Sequence, residues 1–379
     1  MTDPFHSIDL TIEQTDEGCY GRILRSPAGQ ASSLFLVPFS PREIADMPKK
    51  LSESDASPNS LARHVGQTLF RAFFQGDLLN CYQESRQIAA EAQSLLRIRL
   101  HMHRLPAFDS LPWETLYDPT RDEFLALSSH SPPVRYIDQM HHILPLHVRH
   151  PMRMLVVIAN PNGYPRFDAD REWIRLLDSL DHLALDGKLI LERLYKPTLL
   201  DLQRKLREQD YAILHIIGHG VFEDQMLDAH MVFEDEVGRS RFVSGQHLGA
   251  LMRDHYGLRL VTLDGRGVRY APKNPHATVA QEVVRRGIPA AIVLPPELST
   301  AANLAFAQGC YAALADIQPV DQAVVAGRLL MLEEEQSEAW TLPPSRCVYP
   351  TVTSSTTAGW PRPKQSATAR PACLEPVAY

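Results

Sequence analysis

The sequence predicts an α/β fold on a mostly parallel sheet, and three observations carry that prediction. Two short apolar runs, Ala212–Ile217 and Leu260–Leu263, each stop at a polar turn rich in glycine: Gly218-His219-Gly220 and Asp264-Gly265-Arg266-Gly267. Two further runs, Met152–Ala159 and Ala290–Leu294, have the same β-branched and Leu-rich character. Amphipathic helical patterns, such as Leu199–Glu208 and Thr278–Arg286, lie between them. Short apolar runs bounded by glycine read as strands buried on both faces, and their alternation with helices makes them parallel. Ligands gather beyond the carboxyl ends of such strands. His219 and the Asp264–Arg266 turn are therefore expected to face one crevice.

In order, residues 1–40 read as β-rich. Ser7–Ile12 alternates polar and apolar residues as a half-buried strand does. Tyr20–Leu24 and Ser33–Val37 predict two more strands, with a turn at Pro27-Ala28-Gly29. Leu61, Val65, Leu69 and Phe73 recur every four residues and give one helix an apolar face. Gly76-Asp77 ends that helix, a second follows over Leu78–Ala92, and Leu95–Met102 reads as a strand. Residues 138–151 form the expected junction between an N-terminal lobe (1–150) and a C-terminal lobe (151–350). His141, His142, His147 and His150 cluster there, but no acidic residue or cysteine stands at ligand spacing, so no metal site is expected.

In the second lobe, Asn160-Pro161-Asn162-Gly163 turns the chain into a helix carrying Trp173, Ile174, Leu176, Leu177 and Leu180 on its apolar side. Leu189–Leu194 is a strand, and Met231–Glu234 and Arg241–Val243 form a hairpin. Ser244 caps a helix through Met252. Helices are expected over Ala301–Ala315 and Val320–Glu335. From Thr351 the chain is Ser, Thr, Pro and Ala with little apolar content, so 351–379 is expected to be a disordered tail.

The totals narrow the function classes. At 379 residues the chain is long enough for two lobes and a sizeable core. A net charge of -7 argues against nonspecific nucleic-acid binding. No apolar run reaches the roughly 18–20 residues a bilayer span needs, and no membrane association is expected. Residues 1–6 lack the basic and apolar regions of a signal peptide. Five widely spaced cysteines suggest neither a disulfide framework nor a zinc site, which fits a reducing cytoplasm. The Asn160–Gly163 turn lacks the glycine spacing of a nucleotide-binding loop, and no cofactor is expected.

A second group of motifs accompanies the two strand ends. Leu111-Pro112-Trp113-Glu114 is followed by Phe124-Leu125-Ala126-Leu127 and then Val134-Arg135. Further on come Val283–Val293 and the helical stretch 310–328. This order resembles the CHAT domain, a branch of the caspase-like cysteine peptidases related to separase, over about Leu95 to Trp340, and the first strands are expected to be included as well. The resemblance implies a three-layer caspase-like fold preceded by a smaller, pseudo-caspase-like α+β lobe. It also implies that His219-Gly220 is the histidine block and that Asp264-Gly265 opens the nucleophile block.

The residue at the nucleophile position is Arg266. By resemblance His219 is the catalytic imidazole, and Gly220 with the Gly265–Arg266 backbone forms the oxyanion hole. Asp264 belongs to the substrate pocket. A cysteine peptidase needs a thiolate, a base and an oxyanion hole. A guanidinium stays protonated and has no lone pair for attack, so peptidase activity is expected to be nil or nearly so. Cys310 lies in an apolar helical pattern and reads as a packed thiol; His215 reads as a packed core histidine. Two readings stay open. One is a natural pseudopeptidase serving as a binding or regulatory module. The other is an inactivated variant of an active CHAT endopeptidase with Cys at position 266. CHAT-like proteins are associated with repeat or sensor modules in bacterial defence and death pathways. This chain has no internal repeat, so the expected partner is a separate protein. Arg266, Arg269 and Lys273 make the flanking loop basic, and replacing Arg266 by Cys is expected to leave the fold unharmed.

Overall fold

The structure, a computed structural model, describes residues 5–57, 60–101, 106–137, 150–223, 228–267, 274–342 and 345–347. The first half contains β1 (Phe5–Thr15), β2 (Gly18–Arg25), β3 (Ala31–Leu34), α1 (Pro41–Ser52), α2 (Leu61–Phe73) and α3 (Asp77–Glu91). It continues with β4 (Leu95–Leu100), the single turn α4 (Pro106–Asp109), β5 (Tyr117–Asp118), β6 (Glu123–Phe124) and β7 (Pro133–Tyr136). The second half runs β8 (Met152–Ile158), α5 (Ala169–Leu185), β9 (Leu189–Leu194), α6 (Leu199–Glu208) and β10 (Ile213–Glu223). Then come β11 (Asp228–Glu234), β12 (Ser240–Ser244), α7 (Gly245–Met252), β13 (Leu260–Arg266) and α8 (Pro275–Arg285). The chain ends with β14 (Ala290–Leu294), α9 (Thr300–Ala315), α10 (Val320–Glu335) and β15 (Ser345–Cys347).

One 13-stranded sheet runs through both halves. Its centre is parallel: β9, β8, β10, β13 and β14 lie side by side in that direction. β15 joins β14 to β7, and β4 and β1 continue the sheet in parallel. β2 and β3 close it with antiparallel pairs. Side chains alternate across a strand, and here the alternation feeds two cores. Met154, Val156, Ile158, Ile213, Ile217, Ile292 and Leu294 pack under α5, α9 and α10. Leu155, Val157, Leu214, Ile216, Val261, Leu263 and Val293 pack under α6, α7 and α8. The result is the three-layer, mostly parallel α/β architecture expected.

The N-terminal lobe has its own core. Ile8, Leu10 and Ile12 of β1 and Ile98 and Leu100 of β4 face Leu69, Phe70 and Phe73 of α2 and Tyr82 of α3. Trp113 is fully buried among them and donates its indole N–H to Phe108 O at 2.7 Å. Glu114, in the next position, takes a bidentate bond from Arg135 at 2.8 and 2.7 Å. The Leu-Pro-Trp-Glu and Val-Arg motifs are thus two halves of one buried ion pair.

Three local features differ from the sequence reading. α1 was not expected, although its start carries a capping box: Ser40 N–H donates to Glu43 at 2.8 Å, Glu43 N–H donates to Ser40 Oγ at 3.3 Å, and Pro41 opens the helix. The third strand ends at Leu34 rather than Val37. The strand expected to stop at His219 runs on to Glu223, because β10 changes neighbours. It pairs with β8 through Ile217 and with the β11 hairpin from Gly220 onward. Residues 138–149 of the expected junction at 138–151, the tail 351–379, and Arg269 and Lys273 lie outside the described residues.

Candidate functional site

The change of neighbours in β10 carries the end of that strand beyond the end of β8. β10 and β13 pair in parallel register through Ile217–Asp264, Gly218–Gly265 and His219–Arg266. Register partners on adjacent strands sit about 4.8 Å apart with side chains on the same face. His215, Ile217 and His219 therefore share the α5 and α9 side with Thr262, Asp264 and Arg266. The two strand ends meet as the sequence predicted.

His219 is wedged between the rings of Tyr164 and Phe167, with centroids at 5.1 and 6.0 Å. Its Nε2 lies 3.0 Å from Pro165 O. A carbonyl only accepts, so Nε2 carries the proton and Nδ1 keeps its lone pair. Burial depresses the His219 pKa, and the Arg266 charge pushes the same way, so the ring is neutral near pH 7. Gly267, with φ +131°, passes beside Nδ1 in a backbone conformation that other residues rarely adopt.

Arg266 ends β13 beside His219 and is held by two carboxylates. Its guanidinium is paired with Asp264 and with Glu172 Oε2 at 2.6 Å, and lies 5.7 Å from the Phe167 ring centroid. Glu172 projects from the first turn of α5, which Asp168 caps, and also holds Arg175 at 3.2 Å. A carboxylate in a helix first turn is favoured by the helix dipole. Burial works against the Arg266 charge, but the Asp264 and Glu172 carboxylates outweigh it and hold the pKa above the ordinary arginine value. Burial likewise works against an ionised Asp264; Arg266 and His215 together outweigh it, and the Asp264 pKa is lowered. A guanidinium locked between two carboxylates has no nucleophilic chemistry.

Beneath this ion triad the polar chain continues. Asn303 of α9 donates to Asp264 Oδ1 at 3.1 Å. His215 Nδ1 contacts Tyr311 Oη at 2.7 Å, and Tyr311 donates to Thr262 at 2.9 Å. His215 Nε2 stands 3.9 Å from Asp264 Oδ2, too far for a hydrogen bond, and so acts on it only at a distance. His215 is buried as expected, but it belongs to this polar chain rather than to apolar packing.

Gly220 and Gly265, expected as oxyanion residues, have an evident packing role on the opposite face. A Cβ on Gly220 would stand 2.7 Å from His276 Cε1, and one on Gly265 would stand 3.0 Å from the same atom. His276, in the first turn of α8, fills the slot between them, with Nε2 donating to Gly218 O at 3.1 Å. Burial pulls its pKa down to about 4. Sequence reading missed His276, Glu172, Asn303 and Tyr311. Asn274-Pro275 does mark a helix start for His276, but no local signal ties Glu172, Asn303 or Tyr311 to a strand end far away in sequence. Ser244 caps α7, accepting from the His247 N–H, and Cys310 is a buried cysteine outside any disulfide, both as expected. Among the described residues no group of His, Cys, Asp and Glu could hold a metal ion, and no helix is long and apolar enough to cross a membrane.

Comparison with known proteins places this arrangement in a family. No curated protein matches the chain. Among solved structures, a chain of the separase–securin complex of Saccharomyces cerevisiae is similar at 16% identity and a TM-score of 0.36, over 72% of this chain and 17% of that one. A mutant of the PilB minor pilin from Streptococcus sanguinis is similar at 9% identity and a TM-score of 0.29, over 48% of this chain and 64% of that one. This chain thus spans less than a fifth of the separase chain. The sequence profile of the CHAT domain matches residues 63–367, which is most of the chain and starts after the three opening strands. The chain belongs to the CHAT domain family.

Proposed function

We propose that this chain is a pseudopeptidase of the CHAT family, whose crevice serves as a protein- or peptide-binding site and not as a hydrolytic centre. The observation that carries the reading is the seating of Arg266. Its side chain, at the position that the resemblance assigns to the nucleophile, is tied down by Asp264 and Glu172. The reading includes a soluble cytoplasmic regulatory module that works with a separate sensor or repeat protein in bacterial defence or death signalling. The family's usual company supports that part.

Loss of the nucleophile removes several kcal/mol of transition-state stabilisation in triad enzymes. Two experiments test the proposal. Purified protein incubated with a diverse peptide library should give no cleavage products, and thiol-directed peptidase probes should leave the crevice unlabelled. Cleavage abolished by His219→Ala would overturn the proposal. Peptides selected by display on the wild-type chain should lose affinity for Tyr164→Ala, which strips one wall of the crevice. Selection that yields no crevice-dependent peptide would remove the binding role.

A further inference from the structure

Below the Arg266 ion triad lies a small, partly open cavity with room for about one water molecule. α5 contributes Glu172 and Leu176, α9 contributes Thr300 and Asn303, and the strands contribute His215 and Asp264. Two buried polar atoms in its lining residues have no hydrogen-bond partner among the described residues: His215 Nε2 and Asn303 Oδ1. Leaving such an atom unsatisfied costs about 1–3 kcal/mol, and native proteins seldom tolerate it.

The hydrogen-bond chain fixes what each atom can do. Tyr311 has one hydroxyl proton and gives it to Thr262. Its oxygen must then accept from His215 Nδ1, so Nδ1 carries the imidazole proton and Nε2 presents a lone pair. Asn303 points its amide N–H at Asp264, so its Oδ1 also presents lone pairs. The unsatisfied atoms are therefore both acceptors, and the carboxylates beside them are acceptors too. A cation is disfavoured, because Asp264 and Glu172 are already neutralised by Arg266 and Arg175. What fits is a neutral molecule that donates two hydrogen bonds.

We propose that the cavity is a built site for one water molecule, which donates to His215 Nε2 and to Asn303 Oδ1. Asn303 is then a positioning residue. The water holds its amide in the orientation that aims Nδ2 at Asp264, and Asp264 in turn anchors Arg266. The inference concerns the same crevice as the proposed binding role but stands whether or not the crevice binds a peptide.

A crystal structure of the full chain at about 1.5 Å should show one density peak within about 2.7–3.2 Å of both atoms. An empty cavity, or a peak that touches neither atom, would overturn the site. In solution, long-range nitrogen–proton NMR correlations of the histidine-labelled chain read the His215 tautomer. The wild type should carry the proton on Nδ1. Thr262→Val removes the acceptor of the Tyr311 proton, which then turns to His215 Nδ1 and moves the imidazole proton to Nε2. A wild-type Nε2–H tautomer, or no change in Thr262→Val, would refute the proton assignment on which the water rests. The wild-type measurements need no variant to fold.

Discussion

Replacing Arg266 by Cys should cost the protein a large share of its stability, contrary to the expectation from sequence that the fold would not notice. Arg266 is the charge partner of Asp264, which is buried, and its own side chain is 19% exposed. Removing one member of a buried ion pair typically costs about 3–5 kcal/mol, because the other charge stays behind uncompensated. Partial exposure screens Arg266, Asn303 still donates to Asp264, and Glu172 keeps Arg175, so the low end applies. About 3 kcal/mol is roughly two orders of magnitude in the folding equilibrium, against a typical total stability of about 5–15 kcal/mol. The loss should depend on pH. In the wild type the lowered Asp264 pKa contributes stability that is present above about pH 4 and lost below it. Without Arg266, burial of Asp264 is opposed only by His215 and the Asn303 amide, and its pKa rises. The penalty is then full at pH 7 and shrinks as acid protonates the carboxyl group. Urea unfolding of wild type, Arg266→Cys, Asp264→Asn and the double variant, at pH 7 and pH 5, measures all of this. The double variant should recover most of the loss. An Arg266→Cys protein as stable as wild type at pH 7, or a deficit that Asp264→Asn does not relieve, would refute the reasoning.

Three further outcomes follow from the same geometry. Gly220→Ala should destabilise by about 1–3 kcal/mol, the usual range for overpacking, because its Cβ would meet His276 and Pro275 at 2.7–2.9 Å; an unchanged urea midpoint would show that the slot has slack. His276 is held neutral with a pKa of about 4, below that of an unfolded histidine. Stability should therefore fall as pH drops from about 6.5 to about 4, by up to about 3 kcal/mol, and His276→Gln should flatten that window in a pH series of melts. In Arg266→Cys, iodoacetamide labelling should be faster than in the same variant with His219→Ala, since a thiol beside an imidazole has a lowered pKa. Equal, slow labelling of both would mean that the crevice no longer couples the two positions.

The fold was legible in the sequence wherever a strand was continuously apolar. Met152–Ile158, Ile213–Ile217, Leu260–Leu263 and Ala290–Leu294 are buried on both faces, so their composition alone marked them. The pairing of His219 with Arg266 was legible for the same reason, because two such strands each ended at a glycine-flanked polar residue. The far end of β10 was not, since Val221–Glu223 is ordered by its hairpin partner rather than by its own apolar content. α1 was overlooked although its Ser-Pro-Arg-Glu start is a capping signal; mean hydropathy in that helix is low and only Met47 and Leu51 are buried. The rest of the site comes from contacts that sequence order hides. Glu172 reaches Arg266 from 94 residues away and Asn303 reaches Asp264 from 39, and neither helix carries a pattern that says which strand it will cover.

The alternation of strand faces explains how the two glycine motifs can be kept independently of the residue at position 266. In β10 and β13 the glycines of the motif, Gly220 and Gly265, face α8, where their missing side chains admit His276. His219, Asp264 and Arg266 face the other way, toward α5 and α9. A change at position 266 therefore leaves the glycine slot untouched, and the packing of His276 keeps both glycines necessary whatever residue stands at 266. The converse holds on the crevice face. A guanidinium there needs carboxylates, and Asp264 and Glu172 supply them from the strand and from the first turn of α5. His219-Gly220 and Asp264-Gly265 thus report how two strands and one helix pack. The chemistry of the crevice is written at position 266 and in the residues that close around it.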